Sequence, residues 1–393
     1  MNQPRATGRP LMALPGPTNI PEAILRAMDR PTEDFNSPAF EALAAGCYRD
    51  LKRVFGTSGT ILCWASSGHG AWESTIVNLF QPGDVIVIPE TGAFSTWWAE
   101  MAGLFGVEVV SLPGDWRSAA APNAVEDVLR RDTQRRIRAV GVVHSETSTG
   151  VVSDVAAVRQ AMDAAGHDAL LMVDTISSLA SMDYRMDEWG VDVTVGGSQK
   201  GLMLPTGLGI VGLNDRALSI AGDGGSPRRY WSWRRMLDLG GAVPKFPGTA
   251  PTQIFSGMRV SLDLLFEEGL DNVFARHRRM ADLVRCAVEE WGFELNARRP
   301  EERSDTVTAV RWPEGYNPNA FRDSLRDRFN IAVSHGLLDL AGKVIRIGHL
   351  GDLNETMVLG LLGAIEANLT IDAIPHRPGG VRKAIERVAA ARA

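Results

Sequence analysis

Two charged side chains at the ends of apolar runs carry the clearest chemistry in this sequence. The run Ala169-Leu170-Leu171-Met172-Val173 leads into Asp174. The run Val191-Asp192-Val193-Thr194-Val195-Gly196-Gly197-Ser198-Gln199 leads into Lys200. Both read as strands of an open parallel sheet, where ligands bind beyond the carboxyl ends of the strands. Asp174 and Lys200 are therefore expected to face one crevice. An amine and an acid placed this way suit a pyridine cofactor: the amine forms a Schiff base and the acid pairs with the ring nitrogen. The plain alternative is an ordinary Asp–Lys pair at a strand edge.

Other segments supply what such a cofactor needs. The strand Thr60–Ala65 is followed by Ser66-Ser67-Gly68-His69-Gly70-Ala71-Trp72-Glu73 and then by helical spacing. A small-residue turn opening a helix offers free backbone N–H groups and a helix dipole to an anion such as a phosphate. Neither GxGxxG nor GxxxxGK[ST] is present, so a nucleotide is not indicated. A plain strand-to-helix turn is the other reading. Phe94 follows the strand Val85–Pro89, where an aromatic ring can stack on a cofactor. Thr147 lies in the polar cluster His144-Ser145-Glu146-Thr147-Ser148-Thr149-Gly150, and could donate to a phenolate oxygen. His144 reads equally well as a locally bonded strand-end histidine. Arg346 stands inside the apolar run Val344–Ile347, where an unpaired charge is costly. Its planar fork suits a carboxylate, although a solvent-facing or internally paired arginine is also open. His335 and His349 are weaker candidates.

The rest of the chain bounds the class. It has 393 residues, 45% hydrophobic and 22% charged, with a net charge of -6. That balance argues against a nucleic-acid surface. No run of 18 apolar residues appears, and the amino terminus lacks a signal-peptide core, so neither a membrane span nor secretion is expected. Cys47, Cys63 and Cys286 are too few and too scattered for a disulfide framework, which suggests a reduced, cytoplasmic setting. The seven histidines show no metal-ligand spacing, so no metal is expected.

Strand–helix units recur between about residues 60 and 213, with continuously apolar strands. That pattern predicts an α/β fold with a mostly parallel sheet covered on both faces. Residues 1–20 read as an arm, irregular to about residue 15. Residues 21–270 form the large domain, and 271–393 a linking helix plus a smaller α+β domain. Residues 221–256, rich in Gly, Pro and Trp, read as long irregular chain wrapping a site or a subunit contact.

With these segments in order, the chain resembles the class V aminotransferases of fold type I, and among them the serine–glyoxylate and alanine–glyoxylate aminotransferases. The resemblance spans about residues 10–370. It rests on Pro15-Gly16-Pro17-Thr18, Ser66–Glu73, His144–Gly150, Gly197-Ser198-Gln199-Lys200-Gly201 and Arg346-Ile347-Gly348-His349-Leu350-Gly351. It implies pyridoxal 5′-phosphate, a large domain with a mostly parallel sheet, a smaller α+β domain, and a homodimer with shared active sites. By position, Lys200 would be the Schiff-base lysine and Asp174 the partner of the ring nitrogen. Ser67, Gly68 and His69 would surround the phosphate or ring, Phe94 would stack, Thr147 would approach the phenolic oxygen, and Gln199 would bind phosphate. Thr249 would reach the partner subunit's phosphate. Arg346 would bind the substrate carboxylate, with His335 beside it.

The resemblance implies transfer of an amino group from an L-amino acid to glyoxylate. L-Serine, giving hydroxypyruvate, is the first donor to expect. Two departures leave aspartate and alanine open. Gly248-Thr249-Ala250-Pro251 stands where bacterial serine–glyoxylate members have Tyr-Thr-Pro-Pro. Ser334-His335-Gly336 replaces a glycine-rich approach to the arginine strand. Phe246 also stands where some relatives have a phosphate-binding tyrosine. A lyase of the desulfurase kind would need a cysteine on a loop near Arg346, and none is there.

Overall fold

The apolar runs between the helices assemble into one seven-stranded sheet. Its spatial order is Thr60–Ala65, Leu208–Leu213, Val193–Gly197, Leu170–Asp174, Ile137–Val143, Val85–Pro89 and Glu108–Leu112. Only Leu208–Leu213 runs antiparallel to its neighbours; the other pairings are parallel. The computed structural model describes residues 8–221, 228–239 and 244–392.

The sheet explains why its strands are apolar at every position. Side chains alternate between faces along a strand. Leu171 and Val173 enter one core with the helices Pro38–Phe55, Val155–Ala164 and Thr252–Glu268. Leu170 and Met172 enter a second core with Gly68–Leu79 and Ala93–Leu104. Truncating Leu171 to Ala inside this packing would cost roughly 2–5 kcal/mol.

A third core surrounds an antiparallel sheet of order Glu294–Leu295, Val307–Arg311, Val344–Gly348, Ser334–His335. The helices Leu270–Trp291, Pro318–Phe329, Glu355–Ile371 and Gly380–Arg392 flank it. Gly269 separates Leu270–Trp291 from the preceding helix at a φ of 83°.

Two expectations need correction. The arm is not irregular throughout: Leu11–Met12 pairs in parallel with Ile331–Ala332, and Ala13 is buried in the third core. Its backbone accepts from Gly348 N–H at 2.7 Å, two residues beyond Arg346. The stretch 221–256 is not wholly irregular either, since Trp233–Asp238 is helical and a helix starts at Thr252. Trp233 is buried, with its indole N–H on Ser74 Oγ at 2.7 Å. The glycines at 222, 224 and 225 lie outside the described residues.

Candidate active site

The carboxyl ends of the parallel strands open into a cavity of about 200 Å³. Gly68, His69 and Phe94 line one part of it, and Thr147, Asp174, Gln199 and Lys200 another. The segments that follow Thr60–Ala65, Val85–Pro89, Ile137–Val143 and Leu170–Asp174 thus converge with the lysine loop at one sheet edge, as the topology requires. Ser67 sits just beside the lining, at the N-cap of the helix Gly68–Leu79, and makes no side-chain capping bond. Thr249 is exposed and His335 is exposed, and neither lines the cavity.

Asp174 ends its strand almost fully buried. Its Oδ1 accepts from Ile176 N–H at 2.6 Å and its Oδ2 from the Trp72 indole N–H at 3.0 Å. Trp72 is held flat against Trp98, with centroids 5.9 Å apart and planes 13° apart. Among the described residues no cation lies within salt-bridge distance of Asp174. Burial pushes its carboxyl up to about 7; the charge of Glu146 adds to this, and the Ile176 and Trp72 donors and Lys200 oppose it.

Lys200 is equally enclosed. Ser198 pins its loop by donating to Pro205 O at 2.7 Å and accepting from Leu208 N–H at 3.1 Å. Lys200 Nζ donates to Pro15 O of the arm and to Ser177 Oγ at 3.2 Å. Ser177 Oγ is in turn bonded to Thr147 Oγ1. Burial, then the Arg346 charge, bring the amine down to about 7 against the opposing pull of Asp174 and Glu146. A buried amine lowered this far has an available lone pair near neutral pH, as a Schiff-base nucleophile needs. The arm passes so close that a Cβ on Gly16 (φ +108°) would stand 2.4 Å from Lys200 Cδ.

Arg346 lies in the middle strand of the small sheet, 5% exposed. Its Nε donates to His335 O at 2.8 Å and its Nη1 to Thr147 O at 3.1 Å. Its partners are therefore backbone carbonyls, and among the described residues no carboxylate is within ion-pair distance. A guanidinium has five N–H donors, so most of the fork remains for a ligand. Burial lowers it to about 10, partly offset by Glu146.

His335 touches Arg346 only through its carbonyl. In the antiparallel register Ser334, not His335, is the residue opposite Arg346. His144 takes the local reading: it is buried, bonds Ser178 Oγ at 2.9 Å, and is held down to about 4 by burial. His349 is likewise buried and bonded to Thr308 Oγ1 at 2.8 Å.

The functional residues that the sequence candidates missed include Ile176 and Ser177, which line the cavity, and Trp72 and Glu146, which bond Asp174 and the Phe94 backbone respectively. Ile176 and Ser177 sit two and three residues beyond Asp174, and that spacing was the available signal.

The family model described as Aminotransferase class-V matches residues 15–339. The serine–glyoxylate aminotransferase of Hyphomicrobium methylovorum is 46% identical over 366 residues, covering 92% of this chain and 90% of that protein. The L-aspartate–glyoxylate aminotransferase of Paracoccus denitrificans is 42% identical over 375 residues, covering 95% of this chain and 94% of that one. The crystal structure of pyridoxamine–pyruvate aminotransferase from Mesorhizobium loti superposes with a TM-score of 0.90 at 26% identity, over 98% of both chains. A match across most of its length and relatives above 40% identity show the family: the chain belongs to the class V aminotransferases, enzymes of the pyridoxal phosphate-dependent fold type I.

Proposed function

We propose that the cleft holds pyridoxal 5′-phosphate through Lys200 and transfers the amino group of L-serine to glyoxylate. The observation that carries the cofactor reading is Asp174: a buried carboxyl with two neutral donors and, among the described residues, no cation within ion-pair distance. A protonated pyridine nitrogen would supply the missing charge. The other residues fit the group as well. Gln199 lines the cavity with its amide oxygen buried and unpartnered, and the same amide turned over would offer its N–H groups to a phosphate. The first-turn N–H groups of the helix Gly68–Leu79 carry no side-chain cap, which leaves them for a phosphate. A Cβ on Gly68 would stand 2.2 Å from Ile176 Cδ1, so any side chain there would have to displace Ile176.

When bound, the cofactor supplies an electron sink for the bond to Cα of the amino acid. The chain's own groups do the rest. Asp174 keeps a positive charge on the ring nitrogen. Lys200 Nζ would hold the cofactor and, once displaced by the donor's own amine, would take the proton from the donor's Cα. Arg346 fixes the α-carboxylate, which turns the Cα–H toward the lysine. Burial lowers the free amine's affinity for protons, which leaves its lone pair available to take that proton.

Serine is placed first among donors because the relatives most similar in sequence include several serine–glyoxylate aminotransferases, at 42–46% identity. Aspartate is the second reading, carried by the Paracoccus relative at 42%. A subunit pair is part of the proposal, supported by Thr249 being exposed and absent from the lining of its own chain's cleft.

Replacement of Lys200 tests the cofactor assignment. Lys200→Ala is expected to lose the visible absorbance of the bound cofactor and all turnover of serine with glyoxylate. Retention of both would exclude Lys200 as the holding group.

A further inference from the structure

Glu146 is fully buried between two elements that shape the cleft, and its hydrogen bonds go to neither Lys200 nor Asp174. Its Oε1 accepts from Ser148 N–H at 3.0 Å, Ser148 Oγ at 2.6 Å and Phe94 N–H at 3.3 Å. Its Oε2 accepts from Ser95 N–H at 3.1 Å. Ser148 Oγ receives Ala93 N–H at 2.9 Å, so its own proton goes to Glu146. Every hydrogen-bond partner of the carboxyl is thus a donor. Burial raises its affinity for a proton, and the donors of Ser148, Ser95 and Phe94 oppose that and favour the carboxylate.

These contacts cap a helix from outside it. Ala93–Leu104 begins after Gly92, which has no side chain to satisfy the first-turn N–H groups. A Cβ on Gly92 would stand 2.5 Å from Glu146 Cγ and 2.4 Å from Ser148 Oγ. Ala93, Phe94 and Ser95 therefore find their acceptors on the loop His144–Gly150, more than 50 residues away. That loop also carries Thr147, whose carbonyl receives Arg346. One carboxylate joins the backbone of Phe94 to the strand-end loop that holds Arg346.

We propose that Glu146 is a positioning residue: its carboxylate locks Phe94 and Thr147 in one arrangement and adds a fixed negative charge to the cleft. The inference rests on the reading of the cleft as the cofactor site. The charged groups that feel Glu146 are Asp174, Lys200 and Arg346. Of these, Lys200 and Arg346 are favoured in their charged forms by it, and Asp174 is disfavoured. His69 also borders the cleft, but it answers to Lys200 rather than to Glu146.

The test is Glu146→Gln in the full chain, titrated with pyridoxal phosphate and scanned for visible absorbance against pH. Wild-type protein and Lys200→Ala run beside it. Their spectra judge the cofactor reading by itself, independently of Glu146. With the wild-type band present, the variant is expected to bind the cofactor about 10-fold more weakly, as befits a lost buried charge-assisted contact. Its absorbance midpoint is expected to fall by on the order of half a pH unit, because removing a nearby negative charge favours loss of the proton. A folded variant with wild-type affinity and an unmoved midpoint would overturn the proposal. If circular dichroism shows that Glu146→Gln is unfolded, Ser148→Ala decides. It keeps the carboxylate and breaks the bridge to Ala93. The expected result is about 3-fold weaker cofactor binding with an unmoved midpoint. Unchanged affinity overturns the positioning role.

Discussion

Trp72 and Asp174, 102 residues apart in the chain, meet through an indole N–H and a carboxylate oxygen at 3.0 Å. The contact joins the helix after the anion turn to the acid at the sheet edge. It also helps keep a buried carboxylate ionised, against the upward push of burial.

Trp72→Phe keeps the ring stacked near Trp98 and removes only the donor. A donor to a buried charge is worth about 1.5–3 kcal/mol. Asp174 should then titrate higher, and pair less well with a ring nitrogen. We expect kcat to fall by about 10-fold or more with the thermal midpoint of the apo protein little changed. A variant with wild-type kcat would deny the contact a part in activity.

The pH dependence of apo stability follows from Asp174. Its folded-state pKa is raised to about 7 from an ordinary 3.8, so the folded state favours the protonated acid. Folding therefore gives up stability as pH rises from about 4 through about 7. Lys200 works in the opposite direction: lowered to about 7 from 10.5, it costs stability as pH falls from about 10 through 7. Asp174→Asn removes the first effect. Its stability relative to wild type should improve steadily between pH 4 and pH 8 in urea titrations, while cofactor affinity falls. A difference that does not change with pH would mean that the folded protein does not raise the Asp174 pKa.

The two-residue strand Ser334–His335 separates two views of substrate selection. Ser334 is the register partner of Arg346 and is half-buried, whereas the His335 ring is exposed. Ser334→Val is expected to raise KM for the amino donor by about 10-fold, the loss of one good polar contact or the cost of crowding beside Arg346. His335→Ala should change kcat/KM for serine and aspartate by less than about 2-fold. Steady-state kinetics of both variants with both donors makes the comparison, and the reverse ranking would return His335 to the substrate.

How far the sequence was legible depends on the range of the contacts. Asp174 and Lys200 stood out because an apolar strand that ends in a charge must deliver it to the sheet edge. Gly68, Phe94 and Thr147 followed from the same rule, each one turn beyond a strand. Trp72 did not, because its indole finds Asp174 only after the helix packs across the sheet. Glu146 was hidden among six polar or small neighbours, and its role depends on a helix more than 50 residues away. His335 was singled out over Ser334 because parity in a two-residue strand cannot be read locally: a slip of one residue exchanges the faces. The pairing of Leu11–Met12 with Ile331–Ala332 was out of reach for the same reason of distance along the chain.

The most direct test of the proposed reaction is a single half-reaction. The cofactor-loaded protein is mixed with L-serine, L-alanine, L-aspartate or glycine, without an acceptor, and the decay of the visible absorbance is followed. Serine is expected to discharge it fastest and to yield hydroxypyruvate, with glyoxylate then restoring the absorbance and giving glycine. Rapid discharge by aspartate or alanine, with serine inert, would contradict the assignment of serine as the donor.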